Sequence, residues 1–355
     1  MNQESNASDQ ENPPQPKQSR RIRYSSRFTM RKALSYFSMV LPLSVLFAGS
    51  FWYTVGPQIE KSMAPLSPIP DFLMISQNSQ VKLLDIWSPV VQTIHGGSSG
   101  NAPELTAQGV LMYDLTSNKV LYDHKSKERR PMASLTKIMT AIIAMENQKE
   151  DNHYVVTEVD LVGEDSMGLT PAEILSMEEL LYGLMLPSGN DASEVLANNY
   201  PGGRTAFIQA MNDKAKAMGL TDTQFSNPSG LQGDGVQYTT PSDLIVMTRY
   251  ALDRFPLFGE IVTSATHEIP ATDTHSAYSL VNETNLLTTY PGVKGVKTGF
   301  TPEAGMCLVT YLEYGNHKII GVILNSENRR GEMKTMLDYS LKSVGVEPPP
   351  FEEGI

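Results

Sequence analysis

A serine and a lysine three positions apart, leading into a segment that is greasy on one side, constrain this chain more than any other feature. Pro131-Met132-Ala133-Ser134-Leu135-Thr136-Lys137-Ile138-Met139-Thr140 carries the pair. On a helix an offset of three puts two side chains on one face. Ile138, Ala141, Ile142 and Met145 continue as an apolar stripe, so this helix is expected to be buried and rigid. An amine losing its proton in such a dry setting can act as a base toward the neighbouring hydroxyl. Ser-x-x-Lys pairs are common, and an exposed helix lysine is the plain alternative for Lys137 alone. The rest of the chain decides between them.

The 355 residues are 40% hydrophobic and 8% aromatic, which fits a globular core. The formal net charge is -11, and no basic stripe occurs beyond the N-terminal region. Nucleic acid is therefore not an expected partner. Cys307 is the single cysteine, which excludes an internal disulfide and a thiolate metal cluster. It lies in an apolar run and reads as a small buried hydrophobe. His95, His124, His153, His267, His275 and His317 never fall at i,i+4, and they are expected at the surface. No metal and no cofactor is expected: metal-ligand spacings and Gly-rich phosphate loops are both missing.

The first third divides into three. Residues 1–32 form a polar tail that ends in Arg20, Arg21, Arg23, Arg27, Arg31 and Lys32. Residues 33–55, Ala33 to Val55, carry no charge and are long enough to span a bilayer. Positive charge ahead of such a segment keeps the N-terminus cytoplasmic and places the chain beyond the segment outside. A single-pass membrane anchor is expected, with secretion after signal cleavage near Ala48-Gly49-Ser50 as the alternative. Residues 56–104 read as a linker or stalk, proline-rich at first and ending in Gly96-Gly97-Ser98-Ser99-Gly100.

Residues 105–345 read as one globular domain, followed by a loose tail over 346–355. Ala107–Tyr113 and Lys119–Tyr122 flank a turn at Leu115-Thr116-Ser117-Asn118 and read as a hairpin. Ser176 and Glu179 make a capping box for a helix that stops near Pro187. Ser188-Gly189-Asn190 then falls on a turn between helices. A third helix starts near Thr205 and stops at Gly219. A fourth has Thr240 as cap and Pro241 at its first position, and runs to about Leu252. Gly305–Leu312 and Lys318–Leu324 read as a second hairpin around Tyr314-Gly315-Asn316, and 332–343 as a last helix. With the Gly295–Phe300 stretch this is a hairpin, several helices, then three strands and a helix. The order predicts an α+β fold in which the first and last parts share one sheet.

Three short motifs occur in order: Ser134-Leu135-Thr136-Lys137, Ser188-Gly189-Asn190 and Lys297-Thr298-Gly299. Together they carry an acyl-transfer chemistry. Ser134 Oγ is the candidate nucleophile and Lys137 its base, made neutral by burial and by nearby Lys297. Ser188 can relay a proton to the departing amine. Asn190 can orient Lys137 and hold a substrate backbone. Lys297 and Thr298 suit a substrate that ends in a free carboxylate, and Gly299 lets it approach closely. The backbone N–H groups of Ser134 and Phe300 are the candidate oxyanion hole. Separately, Ser188 and Asn190 suit any helix-end turn and Lys297 any edge strand; their joint occurrence argues for catalysis.

With these residues in view, the chain resembles the serine-type D-alanyl-D-alanine carboxypeptidases, the low-molecular-weight penicillin-binding proteins. Pro131–Thr140, Leu180–Asn190, Phe225–Leu231 and Gly295–Leu308 carry the likeness, which extends over about residues 105–345. The resemblance implies a β-lactamase/transpeptidase-like fold: an antiparallel sheet flanked by helices, with a mostly helical subdomain and a cleft between them. It implies removal of the terminal D-alanine from peptidoglycan stem peptides through an acyl-serine, with β-lactams as inhibitors. The family's functional positions fall on Ser134 and Lys137, on Ser188, Gly189 and Asn190, and on Lys297, Thr298, Gly299 and Phe300. A DD-endopeptidase acting on cross-links and a non-catalytic cell-wall binding protein are the alternatives. The family's C-terminal β-rich domain and anchoring helix are expected to be missing, leaving attachment to Ala33–Val55. Phe300 stands where some relatives carry a polar residue, which bears on substrate preference.

Overall fold

The computed structural model describes residues 102–350. The tail, the apolar stretch Ala33–Val55, nearly all of the linker and residues 351–355 lie outside the described residues. Among the described residues no helix is long and apolar enough to cross a membrane.

β1 (Gly109–Asp114) and β2 (Lys119–His124) form the first hairpin. Its turn is locked by buried Asp114, which accepts from Thr116 N at 3.0 Å and Ser117 Oγ at 2.5 Å. Asn118 turns the corner at φ +53°, a conformation Asn tolerates. β7 (Val293–Thr301), β8 (Gly305–Tyr314) and β9 (His317–Ser326) are the late strands. All five join one antiparallel sheet in the order β2-β1-β9-β8-β7. The first and last parts of the chain thus meet at β1 and β9, and β7 forms an edge. This is the α+β architecture expected.

Strand alternation divides the core in two. Val110 and Met112 face α8 (Arg329–Ser343), packing with Ile319, Ile323, Met333 and Leu337. Leu111 and Tyr113 face the other way, with Val309, Ile320 and Val322, toward the helical part. That part comprises α1 (Lys137–Glu146), α2 (Met177–Met185), α3 (Asn190–Asn198), α4 (Gly203–Ala217) and α5 (Pro241–Arg254). Fully buried side chains such as Leu111, Phe207 and Met139 each contribute roughly 1.5–3 kcal/mol by leaving water.

The helix signals act as expected at α2, where Ser176 accepts from Glu179 N, and at α5, where Thr240 accepts from Asp243 N. α8 begins at Arg329 rather than 332, because Asn328 caps it through Gly331 N at 3.0 Å. Glu332, on its first turn, accepts from Thr106 N, from Thr106 Oγ1 at 2.8 Å and from Ala107 N at 3.2 Å. It thereby clasps the chain just ahead of β1.

Three elements between Leu252 and β7 have no counterpart in the sequence reading. They are α6 (Pro256–Thr263), the hairpin of β5 (Thr266–Ile269) with β6 (Tyr278–Val281), and α7 (Leu286–Thr289). The hairpin also corrects the surface expectation for the histidines. His275 is buried, with Nε2 3.3 Å from Glu179, and His267 stacks on Tyr182 with ring centroids 3.5 Å apart. A second small pair joins β3 (Tyr154–Val155) to β4 (Ile174–Leu175).

Candidate active site

The segment bearing Ser134 and Lys137 is not one continuous α-helix. Ala133–Thr136 is a 3-10 turn, and α1 begins at Lys137 itself. Ala133 enters the turn at φ +48°, and Thr136 Oγ1 returns to Ala133 O at 2.9 Å. Such a turn eclipses positions three apart, so the hydroxyl and the amine still meet. Ser134 keeps some exposure, whereas Lys137 has none.

Three oxygens surround the Lys137 amine: Ser134 Oγ at 3.0 Å, Asn190 Oδ1 at 2.7 Å and Ser229 O at 2.8 Å. Burial, reinforced by the charge of Lys297, holds this amine well below the ordinary lysine range, against the pull of Asp165, Glu283 and Asp191. A neutral amine has two N–H donors and one lone pair. The amide and carbonyl oxygens, pure acceptors, take the donors. The lone pair is left for the one neighbour that can donate, the Ser134 hydroxyl.

Asn190 is placed by the end of α2. Pro187 stops that helix, Ser188 turns at φ +64°, and α3 starts at Asn190. Ser188 is 1% exposed, and its Oγ has no hydrogen-bond partner among the described residues. Asp191 is also buried and accepts from Met167 N at 3.0 Å and Leu169 N at 3.1 Å. It ties down a loop that brings Glu164 and Asp165 to the cleft.

β7 forms the opposite wall. Lys297 is 1% exposed, and burial lowers its amine to about 8, a fall moderated by Glu283 and Asp165. Thr298 Oγ1 donates to Glu283 at 3.1 Å. A Cβ on Gly299 would lie 3.1 Å from Ser134 N, closer than most contacts allow, so the bare strand presses against the nucleophile turn. The candidate oxyanion-hole residues, Ser134 and Phe300, are thus on adjoining backbones. The Phe300 side chain points to solvent, 59% exposed. Arg329 Nη1 donates to Gly299 O at 2.8 Å from the start of α8.

Ser134, Ser188, Thr298, Gly299 and Phe300 line a cleft of about 450 Å³, with Arg329 beside them. Glu164, Asp165 and Glu283 make its acidic side. Lys137 and Asn190 stand behind Ser134, joined to it by the hydrogen bonds above, and Lys297 lies buried on β7. Glu283, Arg329 and Asp165 also belong to this site, although their sequence context does not mark them as functional, and so does Ser229. Only Ser229 had a signal, as part of the Phe225–Leu231 loop.

The D-alanyl-D-alanine carboxypeptidase family model matches residues 97–328. The D-alanyl-D-alanine carboxypeptidase DacF of Bacillus subtilis is 33% identical over 254 residues, covering 68% of this chain and 64% of that protein. The chain therefore spans just under two thirds of that relative. The D-alanyl-D-alanine endopeptidase of Escherichia coli is 33% identical over 236 residues, covering 64% of this chain and 74% of that protein. The crystal structure of the Streptomyces K15 DD-transpeptidase aligns with a TM-score of 0.64 at 30% identity, covering 68% of this chain and 99% of that one. Fold, motif order and family match agree: the chain belongs to the D-alanyl-D-alanine carboxypeptidase family, the low-molecular-weight penicillin-binding proteins.

Proposed function

We propose that the chain hydrolyses the terminal D-Ala-D-Ala bond of peptidoglycan stem peptides through an acyl-enzyme on Ser134. One observation carries this reading: the buried Lys137 amine lies 3.0 Å from Ser134 Oγ while two pure acceptors occupy its N–H groups. In this reading Lys137 takes the Ser134 proton as Oγ attacks the penultimate D-alanine carbonyl. The Ser134 and Phe300 N–H groups hold the oxyanion. Ser188, with its free hydroxyl in the cleft, passes the proton to the leaving nitrogen. Lys297, Thr298 and Arg329 grip the terminal carboxylate, and Asn190 orients both base and substrate. Water then cleaves the ester. A β-lactam enters the same path and leaves slowly as a stable acyl-serine.

Labelling with a fluorescent penicillin tests the reading. Wild type is expected to label once and to release D-alanine from a pentapeptide. Ser134→Ala should lose both, and Lys137→Ala should acylate at least about a hundredfold more slowly. Equal labelling of wild type and Ser134→Ala sinks the assigned nucleophile. A folded wild-type domain that takes no label points to the non-catalytic cell-wall binding protein instead. Cleavage of cross-links is the second reading, favoured by the likeness to the endopeptidase of E. coli.

We infer further that residues 33–55 anchor the protein, with the catalytic domain on the extracytoplasmic side. Support comes from the charge-free stretch behind six basic residues, Arg20 to Lys32. Retention in membranes after alkaline extraction, with an intact N-terminus, is the expected result. An N-terminus beginning just past Ala48 would show secretion by cleavage instead.

A further inference from the structure

Two consecutive carbonyls of one loop dock on the helix that carries the base. Pro228 O accepts from Thr140 Oγ1 at 2.6 Å, and Ser229 O accepts from Lys137 Nζ at 2.8 Å. Lys137 and Thr140 stand three apart on α1 and share a face. Both contacts depend on the loop's shape, because a backbone carbonyl points wherever its peptide plane is held.

The Asn227 side chain, 1% exposed, holds those planes. Its Oδ1 accepts from Gly230 N at 2.7 Å, and its Nδ2 donates to Leu231 O at 2.7 Å. The partners fix which way the amide faces, since a peptide N–H only donates and a peptide carbonyl only accepts. Ser229 Oγ donates to the same Oδ1 at 3.4 Å and accepts from Leu231 N at 3.2 Å. Gln237 Nε2 backs this strut, 3.3 Å from Asn227 Oδ1 and 3.0 Å from Leu231 O. One amide thus ties the start of the 227–231 turn to its end, with Ser229 midway between.

The geometry points to Asn227 as a positioning residue for the base. The assignment rests on the carboxypeptidase reading, in which Lys137 takes the Ser134 proton. The Lys137 lone pair faces Ser134 Oγ only while both N–H groups are held elsewhere. Asn190 Oδ1 holds one and Ser229 O the other. A Ser229 carbonyl without its brace lets the amine turn about its last carbon–nitrogen bond, and the lone pair swings off the hydroxyl. The side chain at 227 must offer an acceptor and a donor together. A carboxylate lacks the donor and an alkyl group lacks both. Asn227 is not among the residues lining the cleft. It therefore acts on proton removal, through Ser229, and leaves substrate binding to the cleft walls.

Acylation of the full chain, followed over a range of penicillin concentrations, separates the dissociation constant from the acylation rate constant. Asn227→Ala is expected to lower the rate constant by at least about tenfold. Its dissociation constant should stay within about twofold of wild type. Asn212→Ala, on α4, supplies the contrast. Asn212 clamps the same loop farther back, with Oδ1 2.9 Å from Phe225 N and Nδ2 2.9 Å from Phe225 O. That variant should lower the urea midpoint comparably, yet acylate within about twofold of wild type. Equal slowing in the two variants overturns the proposal, because loosening the loop anywhere would then suffice. So does a folded Asn227→Ala that acylates at the wild-type rate, or one whose whole loss lies in the dissociation constant. Should Asn227→Ala not fold, Asn227→Ser decides. Its hydroxyl keeps an acceptor for Gly230 N and gives up the amide's reach to Leu231 O. It is expected to acylate at least about threefold more slowly with an unchanged dissociation constant; a wild-type rate constant there overturns the proposal. Wild type that takes no acyl group at all overturns the carboxypeptidase reading instead.

Discussion

A Cβ on Gly230 would stand 2.0 Å from the carbonyl oxygen of Ala133 and 2.9 Å from the amide nitrogen of Ser134. The Phe225–Leu231 loop therefore closes on the nucleophile turn backbone to backbone. Thr140 Oγ1 to Pro228 O at 2.6 Å and Lys137 Nζ to Ser229 O at 2.8 Å complete the contact. Gly230 is at φ +92°, so a side chain there is strained even before it collides.

Gly230→Ala is expected to cost about 1–3 kcal/mol of stability, read from the urea midpoint. Acylation by penicillin should slow by at least about tenfold, because the Ser134 amide must shift to make room. Unchanged acylation in a folded variant would separate this loop from the nucleophile's geometry.

The two buried lysines predict a bell-shaped pH profile for D-alanine release. Lys137 acts neutral, and burial together with Lys297 keeps its amine well below the ordinary range, so the rate rises as pH climbs past that point. Lys297 acts charged, and burial sets its amine to about 8, so the rate falls above about that pH. Lys297→Arg keeps its charge throughout, and kcat/KM for that variant should lose the alkaline limb, whatever its absolute value.

Glu173 predicts an acid-sensitive contribution to stability. Burial pushes its acid upward, but hydrogen bonds from Tyr278, Ser276 and Thr170 outweigh this and bring it from 4.5 to about 2. A carboxyl lowered on folding adds stability that is complete above its unfolded value and disappears as pH falls through the folded one. The stability gap between wild type and Glu173→Gln should be on the order of 1–3 kcal/mol at pH 6. It should shrink steadily toward pH 2. Melts at several pH values check this, and a gap independent of pH would contradict it.

Cys307 should be inert in the folded protein. It is fully buried, and burial pushes its thiol up to about 11. Ellman's reagent at pH 8 is expected to find no thiol in the native chain and one after denaturation. Rapid native labelling would mean that β8 opens more readily than its place between β7 and β9 allows.

The features legible in the sequence had local signals. The β1–β2 hairpin has its turn residues, α2 its capping box and α5 its Thr-Pro start. The three motifs carry rare chemistry at recognisable spacings. The remainder arrives by long-range packing. Glu283 and Arg329 are ordinary charged residues until folding sets one beside Thr298 and the other beside Gly299. His275 gives no hint of burial, since the contact that hides it comes from Glu179, far away in the chain. The division of the Ser134 segment into a 3-10 turn and an α-helix also depends on the tertiary press of Gly230 and Gly299. An α-helical reading of that segment still gives the correct neighbours, because an offset of three meets in either geometry.

The Glu332 clasp on Thr106 and Ala107 has a mechanical consequence. Tension on the chain ahead of Thr106 would be borne first by that carboxylate, on the opening turn of α8. The same turn begins with Arg329, whose guanidinium holds Gly299 O. A tug from upstream is thus delivered, within one helical turn, to the strand that carries the cleft's cationic wall.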